Sequence, residues 1–174
     1  MIAATGCSER DVEPSVTAPE PAQALPAGPN CDPRDQGTPA GFCERVEEFG
    51  RFESAQAGPV IDGAPTFEVF YSPSWGTGIR IQSVALLSQT RNGFKVLWSH
   101  PVLEVSDIMP DRYPGSADVY EWRYAPDARR ITVTGTRTEG RVLSMWDGRA
   151  EGERTSLPGE TWCYAAAARV FEPC

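Results

Sequence analysis

The apolar positions of the chain change their period near residue 59. Before it, Phe42, Val46 and Phe49 recur at i, i+4 and i+7, with Glu44, Glu47 and Glu48 turned elsewhere, the signature of one face of a helix. Thr38-Pro39 has the form of an N-cap followed by proline at the first helical position, and Gly58-Pro59 closes the run. The spacing predicts one amphipathic helix over about 39–56, weakened by Gly50.

After Pro59 the period becomes two. Residues 66–72 alternate Phe67, Val69 and Tyr71 against Thr66, Glu68 and Phe70. The middle of 79–89 is apolar on both faces, which predicts a central strand. Asn92-Gly93 between two strand-like runs is a hairpin signal and leads into 94–99 and, past Pro101, 102–106. Residues 107–117 read as a loop, and 119–124 and 129–137 as strands joined by Ala125-Pro126-Asp127-Ala128. That turn resembles one found in propeller blades, with Ala128 where that family has Gly; a single copy excludes the propeller itself. A strand at 141–146, a Gly/Glu-rich loop and the segment 160–171 complete the chain. The reading is mainly β: an antiparallel meander or small barrel of about seven strands with one N-terminal helix.

Composition narrows this further. A chain of 174 residues, 40 % of them apolar, can bury one core, and sixteen Gly with sixteen Pro exclude a helical bundle. No run approaches the roughly 18 apolar residues of a transmembrane span. Twenty-four acids against sixteen bases give a net charge of −8, which argues against a nucleic-acid partner.

Five cysteines, an odd number, need an explanation, and Cys7 supplies it. Ala4-Thr5-Gly6-Cys7-Ser8 resembles the lipobox of bacterial lipoproteins, with Ala4 where the family usually has Leu and Met1-Ile2-Ala3 before it. The resemblance implies that residues 1–7 are a truncated signal remnant and that Cys7 is lipidated. It also implies a lipid-anchored, periplasm-facing place in the bacterial cell envelope. Residues 8–30 hold five prolines and no aromatic, the composition of a disordered tether, and 31–174 form a single globular β-rich domain.

An oxidising compartment allows the remaining four cysteines to form disulfides. Residues 160–171 contain no Gly, Pro or turn dipeptide. Run as a strand or a helix, they hold Cys163 and Cys174 far beyond the roughly 7 Å a bridge spans. The expectation is that Cys31 and Cys43 each pair with one of Cys163 and Cys174.

Candidate chemistry is sparse. His100 is the single histidine; its neighbour Ser99 points to the opposite side of a strand, and no GxSxG elbow is present. Cysteines and histidine lack metal-site spacing, and no cofactor motif stands out. Glu104, Asp107, Asp111 and Asp118 surround the 107–117 loop without a calcium-loop rhythm and read as a solvated acidic loop. The aromatics have more pull. Tyr120, Trp122 and Tyr124 share one face of a strand, with Trp75 and Tyr113 in or beside nearby loops. Such a stripe stacks on sugars or grips a peptide, or else forms the sheet face under the helix, meeting Phe42 and Phe49. The functional expectation is a non-catalytic envelope lipoprotein domain with a binding or accessory role toward an envelope protein or glycan. The alternative is a small periplasmic hydrolase with His100 as base.

Overall fold

The computed structural model describes residues 29–32, 38–108 and 112–174. Cys7, residues 8–28 of the tether and the side chain of Trp75 lie outside them. Helix α1 (Phe42–Glu47) precedes strands β1 (Arg51–Ala57), β2 (Thr66–Gly76), β3 (Ile79–Thr90), β4 (Gly93–Ser106), β5 (Gly115–Tyr124), β6 (Arg130–Ser144), β7 (Arg149–Ala165) and β8 (Val170–Pro173). They pair in sequence order as one antiparallel sheet, with β1 and β8 as its edges. The meander expected from the sequence is the fold, with eight strands and no closure into a barrel.

The helix is shorter than its periodicity suggested. Thr38 does not cap it: the Thr38 hydroxyl donates to the Asn30 carbonyl at 2.6 Å, and Gly41 stands at the helix start without a side-chain cap. Phe42 and Val46 are fully buried and Phe49 lies over the Tyr71 ring at 5.7 Å, so the helical stripe is real up to that point. At Gly50 the chain passes so close to Ser72 that a Cβ would lie 2.4 Å from its carbonyl oxygen. Only glycine fits there, and residues 51–57 become β1 rather than a further helical turn.

Strand β3 is central, as its apolar run predicted. Val84 and Leu86 belong to the main core cluster, while Ala85 and Leu87 face the helix side with Phe42, Val46 and Val69. Each fully buried Val or Leu contributes roughly 1.5–3 kcal/mol, so this strand anchors both layers. Opposite it, β4 carries two extra residues: Val96 and Trp98 face Leu87 and Leu86, and Pro101 and Leu103 face Ser83 and Gln82. Leu97 and Val102 are therefore bulged, and bulges sharpen the twist of a sheet. Strand β4 pairs with β5 only over Leu103–Ser106. Beyond that the strands part, and the second half of the sheet turns across the first, bringing β8 against β4. Phe171 of β8 thereby joins Val84, Leu86 and Trp98 in one core.

A second bend lies in the long β6–β7 hairpin, where 147–159 had read as a loop beyond a short strand. Gly140 of β6 faces both Gly115 of β5 and Gly152 of β7. Past this point the hairpin end folds back, with Val142, Met145 and Ala150 packed on Leu103, Val105 and Ala117. The Arg80 guanidinium also holds the hairpin end, 4.4 Å from the centre of the Trp146 ring. Strand β8 covers β7 only from Trp162 to Ala165, so the rest of the outer edge of β7 is open.

The disulfides correct the expected pairing: Cys31 bonds Cys43 and Cys163 bonds Cys174, with Cα separations of 5.5 and 5.6 Å. Thr38, bonded to Asn30, holds residues 30 and 38 together and so brings Cys31 to the helix. At the other end, 160–171 is not one element. Residues 166–169 reverse the chain without turn-forming residues, through the Arg169 N–H donating to the Ala165 carbonyl at 2.7 Å and a positive φ of 53° at Arg169. Each bridge closes a short loop, worth on the order of 3 kcal/mol in the chain-entropy account.

Two outcomes test this architecture. A non-reducing peptide map should contain the Cys31–Cys43 and Cys163–Cys174 peptides and none joining the two ends of the chain. Gly152→Ala places a Cβ 1.9 Å from the Glu139 carbonyl oxygen, whereas at Gly76 a Cβ meets nothing within 4 Å. In urea denaturation the first change should cost roughly 1–3 kcal/mol and Gly76→Ala almost nothing.

Candidate functional site

The aromatic stripe of β5 shares one side of its strand, as the period of two required, but that side faces inward. Tyr120, Trp122 and Tyr124 pack against the main core, with Trp122 at 5.9 Å from Phe70 and 6.4 Å from Trp98. The expected alternative, a sheet face under the helix, needs correcting too: Phe42 and Phe49 pack on the other side, with Phe94 and Tyr71. The polar ends of the stripe meet Glu68, which is 4 % exposed. Its Oε1 accepts from Trp122 Nε1 at 2.9 Å and from the Tyr124 hydroxyl at 2.7 Å, and its Oε2 accepts from Gln56 Nε2. Tyr113, by contrast, is 67 % exposed beside the β4–β5 loop. The five aromatic candidates thus do not form one platform: three serve the core, Tyr113 stands apart, and the Trp75 side chain lies outside the described residues.

His100 is 8 % exposed, stacked on Trp98 at 5.8 Å and edge-on to Tyr120 at 5.1 Å. Its Nδ1 lies 2.5 Å from the Pro101 carbonyl oxygen and its Nε2 3.4 Å from Glu160 Oε2. Both ring nitrogens face acceptors. Ser99 is on the other side of the strand, as predicted, with its hydroxyl 2.8 Å from that of Tyr71. The acidic loop also divides. Asp118 is 3 % exposed and accepts both arms of the Arg137 guanidinium, at 2.8 and 2.6 Å, rather than being solvated. Among the described residues no group of three or more side chains is arranged to hold a metal ion, and no helix is long and apolar enough to cross a membrane.

A groove of about 700 Å³ lies inside the bend of the β6–β7 hairpin. Its floor is a row of threonines, Thr134, Thr136 and Thr138, which alternation places on one side of β6. Register fixes what stands beside each: Glu121 beside Thr134, Val119 and Ser156 beside Thr136, and Arg154 beside Thr138. Glu121 and Arg154 are exposed and make no ion pair among the described residues. From Thr134 to Thr138 is about 13 Å of strand, so the groove presents a carboxylate, a line of hydroxyls and a guanidinium in that order. Leu143 and Arg149 from the folded-back end form the roof, with Arg149 held by Asp147 at 2.9 Å.

The groove could have been glimpsed in the sequence. Four threonines at alternate positions, Thr132 to Thr138, state that one face of a strand carries hydroxyls. The bend that walls it was hidden, because the glycine-rich stretch that makes it reads as a loop. Neither a protein-family model, nor a curated protein, nor a solved structure matches the chain.

The Glu68 cluster carries a pH signature. Burial first, and then the charge of Glu68, pushes the Tyr124 hydroxyl far above its ordinary value of 10.0. Folded protein therefore keeps this proton while the unfolded chain loses it near pH 10, so the stability it contributes is complete below that pH and drains as pH rises above it. Tyr120 is raised by burial, then by Glu104 and Asp118, and adds a slope of the same sign. Urea denaturation from pH 8 to 11 should show stability falling above pH 10, and Tyr124→Phe should flatten that fall.

Proposed function

We propose that this chain is the non-catalytic binding domain of a bacterial envelope lipoprotein, held at the membrane through Cys7 and a proline-rich tether. The observation that carries the binding role is the groove of β5–β7. Its charged ends, Glu121 and Arg154, make no ion pair among the described residues, and the hydroxyls between them offer hydrogen bonds to a ligand. A carboxylate on β5 and a guanidinium on β7, offset by about 13 Å along the strands and lying on either side of β6, suit an extended polar segment, a glycan or a stretch of an envelope protein, that supplies a donor at one end and an acceptor at the other. The lipobox-like residues before Cys7 support the anchoring, and two disulfides fit an oxidising compartment.

The hydrolase reading finds less support. A general base needs a ring nitrogen free to take a proton from a hydroxyl, and His100 has both nitrogens turned toward acceptors within a buried aromatic stack.

Two measurements test the proposal. Mass spectrometry of the mature protein expressed in a bacterium from its full gene should find an acylated Cys7; an unmodified Cys7 in soluble protein sinks the anchoring. A photo-crosslinker at Thr136 should give a discrete adduct in cells that is lost in Arg154→Glu and in Glu121→Lys, both of which should fold normally. An adduct pattern unchanged by either charge reversal sinks the groove as the binding surface.

A further inference from the structure

We propose a second binding site, separate from the groove: the cavity between the β3–β4 and β7–β8 turns takes an amphiphilic oxyanion, a phosphate or carboxylate head on an apolar chain. The cavity holds about 560 Å³, within the range of small-molecule sites. Three of its lining residues are cationic, Arg91, Lys95 and Arg169, and none is acidic, in a chain whose net charge is −8. Its apolar floor is Ile61, Leu97 and the ring of Tyr164. A positive rim over an apolar floor is complementary to a negatively charged head joined to hydrocarbon.

The cations come from two distant parts of the sequence, and the fold brings them together. Lys95 Nζ donates to the Ala168 carbonyl at 2.5 Å, which fixes the β7–β8 turn beside β4 and sets Arg169 and Arg91 around one space. Neither arginine makes an ion pair among the described residues. The acid beside the cavity, Asp62, is bound by Arg129 at 2.5 Å. Arg169 adds an independent sign. It holds a φ of 53°, the left-handed region in which glycine sits without strain and an arginine does not. Turn geometry favours glycine at this position, yet the chain places there a guanidinium that lines the cavity. Planar guanidinium groups bind oxyanions through paired N–H donors, so two free arginines and an ammonium suit a single phosphate or carboxylate.

Titration calorimetry on the full chain with octyl phosphate, inorganic phosphate and octanol tests this, together with sedimentation on vesicles of phosphatidylcholine with and without phosphatidylglycerol. Octyl phosphate should saturate one site, at least tenfold more tightly than inorganic phosphate or octanol. Arg169→Gly should keep or raise the melting temperature, because it relieves the turn, while weakening octyl phosphate at least tenfold; Arg91→Gln should weaken it similarly. Wild-type affinity in Arg169→Gly overturns the site. Octanol binding as well as octyl phosphate removes the role of the cations, and inorganic phosphate binding as well removes the role of the floor; either overturns the proposal. Attachment to anionic vesicles with no binding of soluble octyl phosphate also overturns it, leaving a charged surface and no pocket.

Discussion

A carboxylate removed from water is among the costliest groups a protein can bury, and Glu68 is buried on β2, one strand in from the edge of the sheet. It is tolerable because three donors converge on it, one from β1 and two from β5. Those two, Trp122 and Tyr124, reach β2 only if the second half of the sheet has crossed over the first. The cluster therefore ties the curl of the sheet to its strand register. A slip of one residue in β5 would turn both donors outward and leave the buried carboxylate with Gln56 alone of its three donors, an error of several kcal/mol. Apolar burial drives the collapse, but any number of aromatic packings would satisfy it. Glu68 selects one.

Much else follows from that crossing. The bulges at Leu97 and Val102 supply twist, and the short β4–β5 pairing lets the strands part. Phe171 and Tyr164 then close the far end of the core, and their arrival places the β7–β8 turn against Lys95. The two proposed sites are by-products of bending. One lies inside the elbow of the β6–β7 hairpin, the other where the curled end of the sheet meets its beginning.

The meander was legible because its signals are local: alternation in 66–72, the two-faced apolar run of β3, and Asn92-Gly93 between β3 and β4. What stayed hidden depends on contacts distant in sequence. Residues 51–57 carry no strong strand preference and become β1 because Gly50 lets the backbone approach Ser72 and β2 offers an edge. Residues 166–169 turn although alanine has no turn chemistry, because the ladder on either side and the bridge beyond it fix the ends. For the sites, sequence arithmetic found the aromatics and offered both core and platform, but named the wrong partners, Phe42 and Phe49, for the core. Side-chain period says which residues share a face of β5, but only the curl decides that this face is interior. The threonine row was equally legible as a period, and its value as a floor appeared only once Glu121 and Arg154 were placed at its ends by register.

The pairing of the cysteines has a consequence for how the chain is made. Each bridge joins cysteines that are consecutive in sequence once Cys7 is set aside, Cys31 with Cys43 and Cys163 with Cys174. A chain emerging from its N-terminus exposes the first pair together, long before the third and fourth thiols exist, and later the second pair together. Oxidation in the order of synthesis thus yields the native connectivity directly, with no slow reshuffling by thiol exchange. If Cys7 is acylated, as proposed, it would be withdrawn from that sequence of events, and Cys31 would be spared a competing partner.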